Sequence, residues 1–236
     1  MSSLPPISYI LKSVDAGPVD LDLDIGFVNF VFPKDRREEL ANILKLETNL
    51  LETTVSKVGL GADGLKVLDG LAKGISTLRR YIGLQKLTEA ADLVEMELCN
   101  NVYEKVVIFA IHRSVIEGMR ARLSKFGAVT LYGGTPAEKR ISNVERFQKD
   151  PKTRVFIGNI SAVGLSVDLT AAHHISIVEC EWDANLIAQA ALRCHKAGQK
   201  NPVTVRIFSL SNSVDEKICE RLRRKTKSLT EDFSVL

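Results

Sequence analysis

Asp183 to Gln199 reads D-A-N-L-I-A-Q-A-A-L-R-C-H-K-A-G-Q, and this stretch indicates the architecture around it. Asp183 is a favourable N-cap and Gly198 a favourable residue just past a C-terminus, so one helix is predicted between them. At about 100° per residue, its small apolar face consists of Ile187, Ala190, Ala191 and Cys194. Gln189, Arg193 and Lys196 fall within a wedge of roughly 60° on the opposite side. The helix is predicted to lie close on a sheet and present an amide and two cations. Solvated charges on a surface helix are the simpler alternative.

The composition is that of a soluble globular chain of 236 residues, with 45% hydrophobic and 26% charged residues. This length suits one large domain, or one domain with a smaller subdomain. The charge is uneven: residues 1–100 carry 11 basic and 15 acidic groups, a net −4, whereas residues 101–236 carry 21 and 14, a net +7. The basic half suits a nucleic-acid partner, although many enzymes share such a balance.

Cysteine usage and hydropathy predict an intracellular chain. The four cysteines lie far apart with no C-x-x-C pair, so reduced thiols are predicted, without a disulfide framework or a zinc site. The four histidines complete no ligand set with cysteines or acids, and no metal is predicted. Neither a signal peptide nor an apolar run of about 18 residues is present. The chain is expected to be soluble, cytoplasmic or nuclear, with no membrane partner.

The first hundred residues are predicted to form a lead-in strand and a mainly helical subdomain. Ile25–Phe32 predicts a strand, residues 33–55 a helix, and Leu65–Cys99 a helical stretch broken near Gly83. Residues 59–64 read G-L-G-A-D-G, formally a G-x-G-x-x-G loop. A helix rather than a strand is predicted before them, and no lysine follows as in a Walker A loop. A flexible connection between helices is the favoured interpretation.

From Lys105 onward, apolar runs alternate with amphipathic segments. The predicted strands are Val106–Ile111, Ala128–Tyr132, Arg154–Gly158, His174–Glu179 and Val203–Leu210. The predicted helices are Ser114–Phe126, Ala137–Gln148 and Asn212–Lys227. This alternation predicts an α/β fold with a parallel sheet and helices on both faces. Residues 101–236 are predicted to form this domain, and its ligands are expected at the carboxyl ends of the strands.

The segment Q-A-A-L-R-C-H-K-A-G-Q at residues 189–199 resembles the sixth motif of superfamily 2 helicases in its Swi/Snf form, Q-A-x-x-R-x-H-R-x-G-Q. Further segments resemble family motifs in the same order: Leu78–Lys86, Lys105–Ser114 (motif IV), Tyr132–Thr135 with Arg140 and Phe147, Ile160–Leu169 (motif V) and Glu181–Asp183. Each motif alone is weak, but their order and spacing are specific. The chain therefore resembles the second, C-terminal RecA-like lobe of the Swi/Snf family, especially its annealing-helicase branch.

This resemblance implies catalytic and nucleotide-binding roles. Arg193 and Lys196 resemble the arginine-finger pair that meets negative charge on the ATP phosphates. Lys196 replaces an arginine and lacks its bidentate fork, which leaves the strength of ATP hydrolysis in question. Gln189 is implied to orient the nucleotide side of the helix, and Gly164 to let the backbone approach a ligand closely. Asp168 matches an acid that faces the ATP ribose, with turn capping as its alternative.

The resemblance also implies contacts with nucleic acid. Thr135 and Ser161 match positions that touch the DNA backbone, and Arg140 belongs to the same motif as Thr135. Local turn capping is an equally open alternative for both hydroxyls. The basic cluster in residues 217–227 either contacts DNA or a partner lobe, or forms a solvated helix face.

Neither a G-x-x-x-x-G-K-[ST] loop nor a D-E-x-H box occurs in the sequence. In this family the first lobe supplies both, so ATP with magnesium is expected to be held mainly by a first lobe, from the same gene or a separate chain. The chain is predicted to be the C-terminal lobe of an ATP-dependent translocase on double-stranded or forked DNA. As half of an ATPase, it is expected to be inactive without the first lobe. The alternative is a stand-alone, non-catalytic module that binds DNA or a partner; an RNA helicase lobe is a weaker third.

Overall fold

A seven-stranded sheet forms the centre of the described chain. The computed structural model describes residues 12–14, 23–31, 38, 41–49, 64–163, 167–181, 183–196 and 199–222. The strands are β1 (Lys12–Val14), β2 (Leu23–Phe30), β3 (Val106–Ala110), β4 (Val129–Leu131), β5 (Val155–Asn159), β6 (His174–Ile177) and β7 (Val203–Leu210). The helices are α1 (residues 41–49), α2 (Gly64–Gln85), α3 (Leu87–Cys99), α4 (Arg113–Arg122), α5 (Ala137–Lys149), α6 (Ala184–Ala191) and α7 (residues 214–222), with a 3₁₀ turn at Ser124–Phe126.

The strands lie in the order β1-β2-β7-β6-β3-β5-β4. Every neighbouring pair is parallel except β1 and β2, which are antiparallel. The longest pairing joins β2 to β7, in register from Leu23 opposite Val203 to Phe30 opposite Leu210. Because β2 to β7 run in one direction, their carboxyl ends meet at a single edge of the sheet, where such folds bind ligands.

The central strand β3 explains the two-sided packing. Val106 and Ile108 point into a cluster shared with α2, α3 and α4, whereas Val107 and Phe109 point into a cluster shared with α5, α6 and α7. All four side chains are fully buried, which explains the continuous apolar run in the sequence. The predicted α/β fold, a RecA-like parallel sheet with helices on both faces, is confirmed.

The helical stretch before the sheet differs from its prediction in one respect. The predicted break near Gly83 is observed slightly later, at Lys86, because α2 continues to Gln85. Gly83 serves close packing instead: a Cβ atom there would lie 2.7 Å from Oε1 of Glu179. The helix predicted from Ser114 begins one residue earlier, because α4 starts at Arg113.

Lys86 joins this helical part to β7 and α7. Its side chain is fully buried, donates to the carbonyl of Phe208 at 2.8 Å and forms an ion pair with Asp215 of α7. Arg79 of α2 donates to the carbonyl of Cys180 and lies 3.8 Å from Glu181. The segment 78–86 therefore fixes α2 and α3 against the elements at the carboxyl edge of the sheet.

Some predictions fall wholly or partly outside the described residues. The predicted helix over residues 33–55 is observed at 38 and 41–49, and Gly64 alone of the glycine-rich segment is described, as the first residue of α2. The closing helix is observed at 214–222, and residues 223–227 lie outside. The division at residue 100 stays a prediction; the described residues on its two sides share one sheet and both clusters. Of the helices in the described ranges, none carries an apolar stretch long enough to traverse a bilayer.

Candidate functional site

The predicted site residues lie on segments that follow the strands. Thr135 follows β4, Ser161 follows β5, and Asp168 lies in the connection from β5 to β6. Gln189 lies on α6, and Arg193 and Lys196 come just after that helix. Gly164 falls outside the described residues. An open cavity of about 450 Å³ between α5 and the β5–β6 connection is lined by both Arg140 and Asp168.

The loop after β4 is closed by its own hydrogen bonds. The backbone N–H of Tyr132 donates to Oγ1 of Thr135 at 3.0 Å, and the N–H of Thr135 donates back to the carbonyl of Tyr132 at 2.9 Å. Arg140 donates from Nε to the carbonyl of Thr135 at 2.8 Å and from Nη2 to that of Gly133 at 2.9 Å. Thr135 is 8% exposed. The Thr135 hydroxyl thus caps the turn, as the alternative for this residue predicts, and Arg140 holds the loop through its carbonyls.

The turn after β5 depends on Asn159, a residue that the sequence did not single out. Its Oδ1 accepts from the N–H groups of Ser161 and Ala162, both at 3.0 Å, and its Nδ2 donates to the carbonyl of Ile111 at 2.6 Å. This amide connects the turn after β5 to the end of β3. The Ser161 side chain is exposed, and its hydroxyl is accessible to a ligand.

Helix α6 is shorter than predicted. Asp183 caps it as expected, because its side chain accepts from the N–H of Asn185 at 2.9 Å. The helix ends at Ala191, and residues 192–194 form a turn, so the predicted continuous helix to Gly198 is wrong. The helical periodicity that predicted Arg193 and Lys196 on the same side as Gln189 therefore does not apply after Ala191. The apolar face is where it was predicted, with Ile187, Ala190, Ala191 and Cys194 buried.

Beyond Ala191, where further turns of α6 were predicted, the chain instead forms hydrogen bonds with the connection between β5 and β6. The N–H of Leu169 donates to the carbonyl of Arg193 at 3.0 Å. Nε2 of Gln199 lies within 3.0–3.1 Å of three acceptors, the carbonyls of Thr170, Ala172 and Cys194. Oε1 of Gln199 accepts from the backbone N–H of Lys200 at 3.0 Å. These bonds join the segments that resemble motifs V and VI into one unit.

Arg193 and Lys196 occupy this unit in different ways. Arg193 is only 6% exposed, contrary to its predicted place on a solvent-facing side, and burial lowers the pKa of its guanidinium. Lys196 is half-buried and donates from Nζ to the carbonyl of Val167 at 3.1 Å. Both cations thus lie against residues 167–169. The turn geometry, rather than a helical face, positions them.

Asp168 forms the acidic part of the same unit. Its Oδ1 accepts from the N–H and from Oγ1 of Thr170, at 3.0 and 2.8 Å. Burial by itself raises the pKa of Asp168, but these hydrogen bonds and the nearby charge of Lys196 outweigh it, so the pKa is lowered. Asp168 is therefore ionised at neutral pH and caps a turn, the alternative weighed for it. Gln189 is exposed on α6.

Glu179, just after β6, is a further buried residue that sequence analysis missed. It is 3% exposed, and its Oε2 accepts from the N–H groups of Ile111 and His112, both at 2.8 Å. Its Oε1 lies 2.6 Å from Nδ1 of His112, whose Nε2 lies 3.1 Å from Oγ of Ser76. An acid at the end of an apolar strand was the available signal. His112 thus has protein partners, and the described residues contain no cluster of three His, Cys, Asp or Glu side chains suited to a metal.

Comparisons with known proteins agree with this geometry. Residues 86–198 match the family model of the helicase conserved C-terminal domain. The mouse (Mus musculus) DNA annealing helicase and endonuclease ZRANB3 is 32% identical over 155 residues, which are 65% of this chain and 14% of that protein. A Caenorhabditis elegans homologue of the SWI/SNF-related matrix-associated actin-dependent regulator of chromatin subfamily A-like protein 1 is 24% identical over 199 residues, 81% of this chain and 29% of that protein. Residues 86–198 form a helicase C-terminal domain of the Swi/Snf type.

Solved structures support the fold of this helicase C-terminal domain. The C-terminal domain of the Sulfolobus solfataricus SWI2/SNF2 ATPase superposes with a TM-score of 0.61 and 17% identity, covering 86% of this chain and 85% of that one. The Sulfolobus SWI2/SNF2 ATPase core in complex with double-stranded DNA gives a TM-score of 0.66 and 19% identity, over 89% of this chain and 46% of that one. The predicted recognition of a second, C-terminal lobe of the Swi/Snf family is confirmed.

Proposed function

We propose that the chain is the C-terminal lobe of an ATP-dependent translocase on double-stranded or forked DNA. The observation that carries the proposal is the unit formed by residues 167–170, 193–196 and 199, which gathers two cations and an ionised acid. The chain spans 14% of the ZRANB3 relative and 29% of the C. elegans relative. A DNA substrate fits the intracellular setting predicted from the sequence and the double-stranded DNA bound by the Sulfolobus core.

Arg193 and Lys196 are assigned to the transferred phosphoryl group. Phosphoryl transfer concentrates negative charge on that group, and a catalyst stabilises it with cations that need no reorganisation. A nearly buried guanidinium whose backbone is bonded to Leu169 meets this requirement. Lys196 adds a charge without a planar fork. ATP and magnesium are held mainly by a first lobe. Asp168, Gln189 and Gly164 are assigned to contacts with the bound nucleotide.

DNA contacts are assigned to the loops after β4 and β5. The exposed hydroxyl of Ser161 and the Thr135 loop offer groups that hydrogen-bond to phosphate oxygens and set register without reading sequence. We assign Arg140 to holding the loop, because its guanidinium already donates to three backbone carbonyls. It positions this DNA contact rather than serving as a solvent-facing cation.

The test compares ATP hydrolysis by this chain alone and by the chain joined to a first lobe, each with and without duplex or forked DNA. Turnover is expected only with the first lobe. There, Arg193→Ala lowers kcat by about 10³-fold or more. Lys196→Ala is expected to lower kcat less than Arg193→Ala does. Lys196→Arg is expected to keep or raise kcat. Lys200→Ala, which removes an exposed cation nearby, is the matched control. Full activity of Arg193→Ala contradicts the finger assignment.

A second candidate is a binding module without catalysis. It is favoured by one observation: Lys196 already donates to a protein carbonyl and Arg193 is almost fully buried, so neither cation is held ready at the surface. This candidate predicts DNA or partner binding with no ATP turnover even beside a first lobe. The same assay therefore separates the two candidates.

A further inference from the structure

An unassigned cavity lies at the outer edge of the sheet. The edge strand is β4, and beside it a cavity of about 290 Å³ opens between α4 and α5. Its polar lining consists of Glu117, Arg120, Thr130, Lys139, Asn143 and Arg146. Tyr132 also lines it, and Tyr132 donates its backbone N–H to Thr135 in the proposed DNA loop. The cavity is thus continuous with the strand-end surface but lies outside the proposed site.

Its charge is positive and largely uncompensated. Three cations and one carboxylate line the cavity, and the carboxylate of Glu117 lies 2.7 Å from Nε of Arg120. Lys139 and Arg146 are exposed on α5, and neither forms an ion pair with any residue that the structure describes. Arg113 adds a further cation beside Tyr132, with its guanidinium 4.9 Å from the centre of the Tyr132 ring. The cavity therefore favours an anion.

The backbone of β4 argues against a peptide that would extend the sheet. The strand has three residues, and Nδ2 of the buried Asn143 donates to the carbonyl of Thr130 at 2.8 Å. This side chain occupies the central acceptor that an added strand would use. The polar walls also lack the apolar pockets in which peptide side chains usually anchor. A phosphate needs only cations and hydrogen-bond donors, and these are present.

We propose that this cavity binds phosphates of the nucleic-acid backbone and so extends the DNA contact from the Thr135 loop along α5 to Arg146. The proposal rests on the proposed function, because the nucleic acid is the one that the strand-end loops engage. Lys139 and Arg146 neutralise phosphates, and this contact is independent of base sequence.

The test measures binding of a fluorescent DNA duplex to the 236-residue chain over a range of salt concentrations. The double variant Lys139→Gln/Arg146→Gln is expected to lower the slope of log K against log salt by about 2, roughly one for each lost phosphate contact. Each single variant lowers it by about 1. The matched control is Lys149→Gln/Lys152→Gln, which removes two exposed cations from the end of α5 and the turn beyond it and leaves the slope nearly unchanged.

Each result that differs from these expectations overturns one specific proposal. A parent chain that binds no duplex overturns the proposed function and this site with it. Binding by the parent with an equal slope in the double variant overturns the cavity site alone. An oligo-glutamate peptide that competes with DNA only in the parent identifies an acidic-peptide site instead. Unfolding midpoints in urea verify that the exposed substitutions leave the fold intact.

Discussion

Arg193 is the residue at which sequence and structure differ most instructively. The guanidinium was predicted on a solvent-facing side of a helix, yet Arg193 is only 6% exposed and lies almost entirely inside the protein. Burial lowers the pKa of the guanidinium, but an arginine keeps its charge because its ordinary pKa is so high. A cation with little water around it attracts an arriving phosphate more strongly than an exposed one. Neither burial nor this strengthening can be deduced from residue spacing alone.

His174 at the start of β6 supplies a prediction about pH. Burial, followed by the charges of His173 and Arg206, lowers its pKa to about 4 from the ordinary 6.5, whereas Glu97 acts in the opposite direction. The ring lies 4.7 Å from that of Tyr103. Between these two values the unfolded chain binds more protons than the folded one, so the stabilisation is complete above about pH 6.5 and is lost as the pH falls towards about 4.

His174→Gln is therefore expected to flatten the fall of the urea midpoint between about pH 6.5 and pH 4 relative to the parent chain. The measurement is urea unfolding of both proteins at several pH values in this window. Carboxylates that titrate there do so in both proteins, so they cancel in the difference. Parallel profiles would show that His174 does not titrate as inferred.

At the scale of elements, the sequence predicts the strands and helices that follow from hydrophobic periodicity. It does not predict features that depend on contacts with residues distant in the chain. Strand β7 is observed at Val203–Leu210, as predicted, and β3 differs by one residue from its apolar run. Helix α6 begins at the predicted cap but stops at Ala191, because the connection to β6 bonds the residues that follow. The link from Asn159 to Ile111 and the contacts of Glu179 with Ile111 and His112 were not predictable for the same reason, since they span 48 and 67–68 residues.

Gln199 supplies the prediction at this scale. Its side-chain N–H₂ group faces three carbonyls, so Gln199→Glu places a carboxylate against acceptors and leaves them without a donor. The substitution is expected to destabilise the fold by about 2 kcal/mol or more. Asn201→Asp, the same change of amide to acid at an exposed position nearby, is expected to stay within about 0.5 kcal/mol.

Urea unfolding of both variants measures this difference. DNA-stimulated ATP hydrolysis in the presence of a first lobe is expected to fall for Gln199→Glu even where it remains folded, since Arg193 and Lys196 belong to the same unit. Equal behaviour of the two variants would show that the Gln199 contacts do not hold this unit together.

For the whole molecule, the order of the motifs predicted the fold class and the family, and both are confirmed. The strand order and the ion pair between Lys86 and Asp215 were not predictable. Lys86 and Asp215 are separated by 129 residues, and no local pattern marks a lysine as one that will be fully buried. Such a pair becomes visible only when the sheet has brought β7 and α7 beside α2.

Removing one partner of this pair tests its importance. Lys86→Met leaves the carboxylate of Asp215 buried without its cation and the carbonyl of Phe208 without its donor, so a loss of about 3–5 kcal/mol is expected. The double variant Lys86→Met/Asp215→Leu removes both charges and is expected to recover most of that loss. The measurement is the free energy of unfolding in urea. A loss below about 1 kcal/mol for Lys86→Met would contradict this account.

The pairing of β2 with β7 has a consequence for synthesis on the ribosome. Asn29 of β2 and Ser209 of β7 are hydrogen-bonded although they lie 180 residues apart in the chain. At about 5–20 residues per second, translation needs roughly 10–40 s to make that intervening length. Throughout this interval, the side of β2 that pairs with β7 has no partner strand, although Phe27, Val28 and Phe30 are buried in the finished fold. The nascent chain therefore carries an exposed, aggregation-prone strand edge until β7 leaves the exit tunnel.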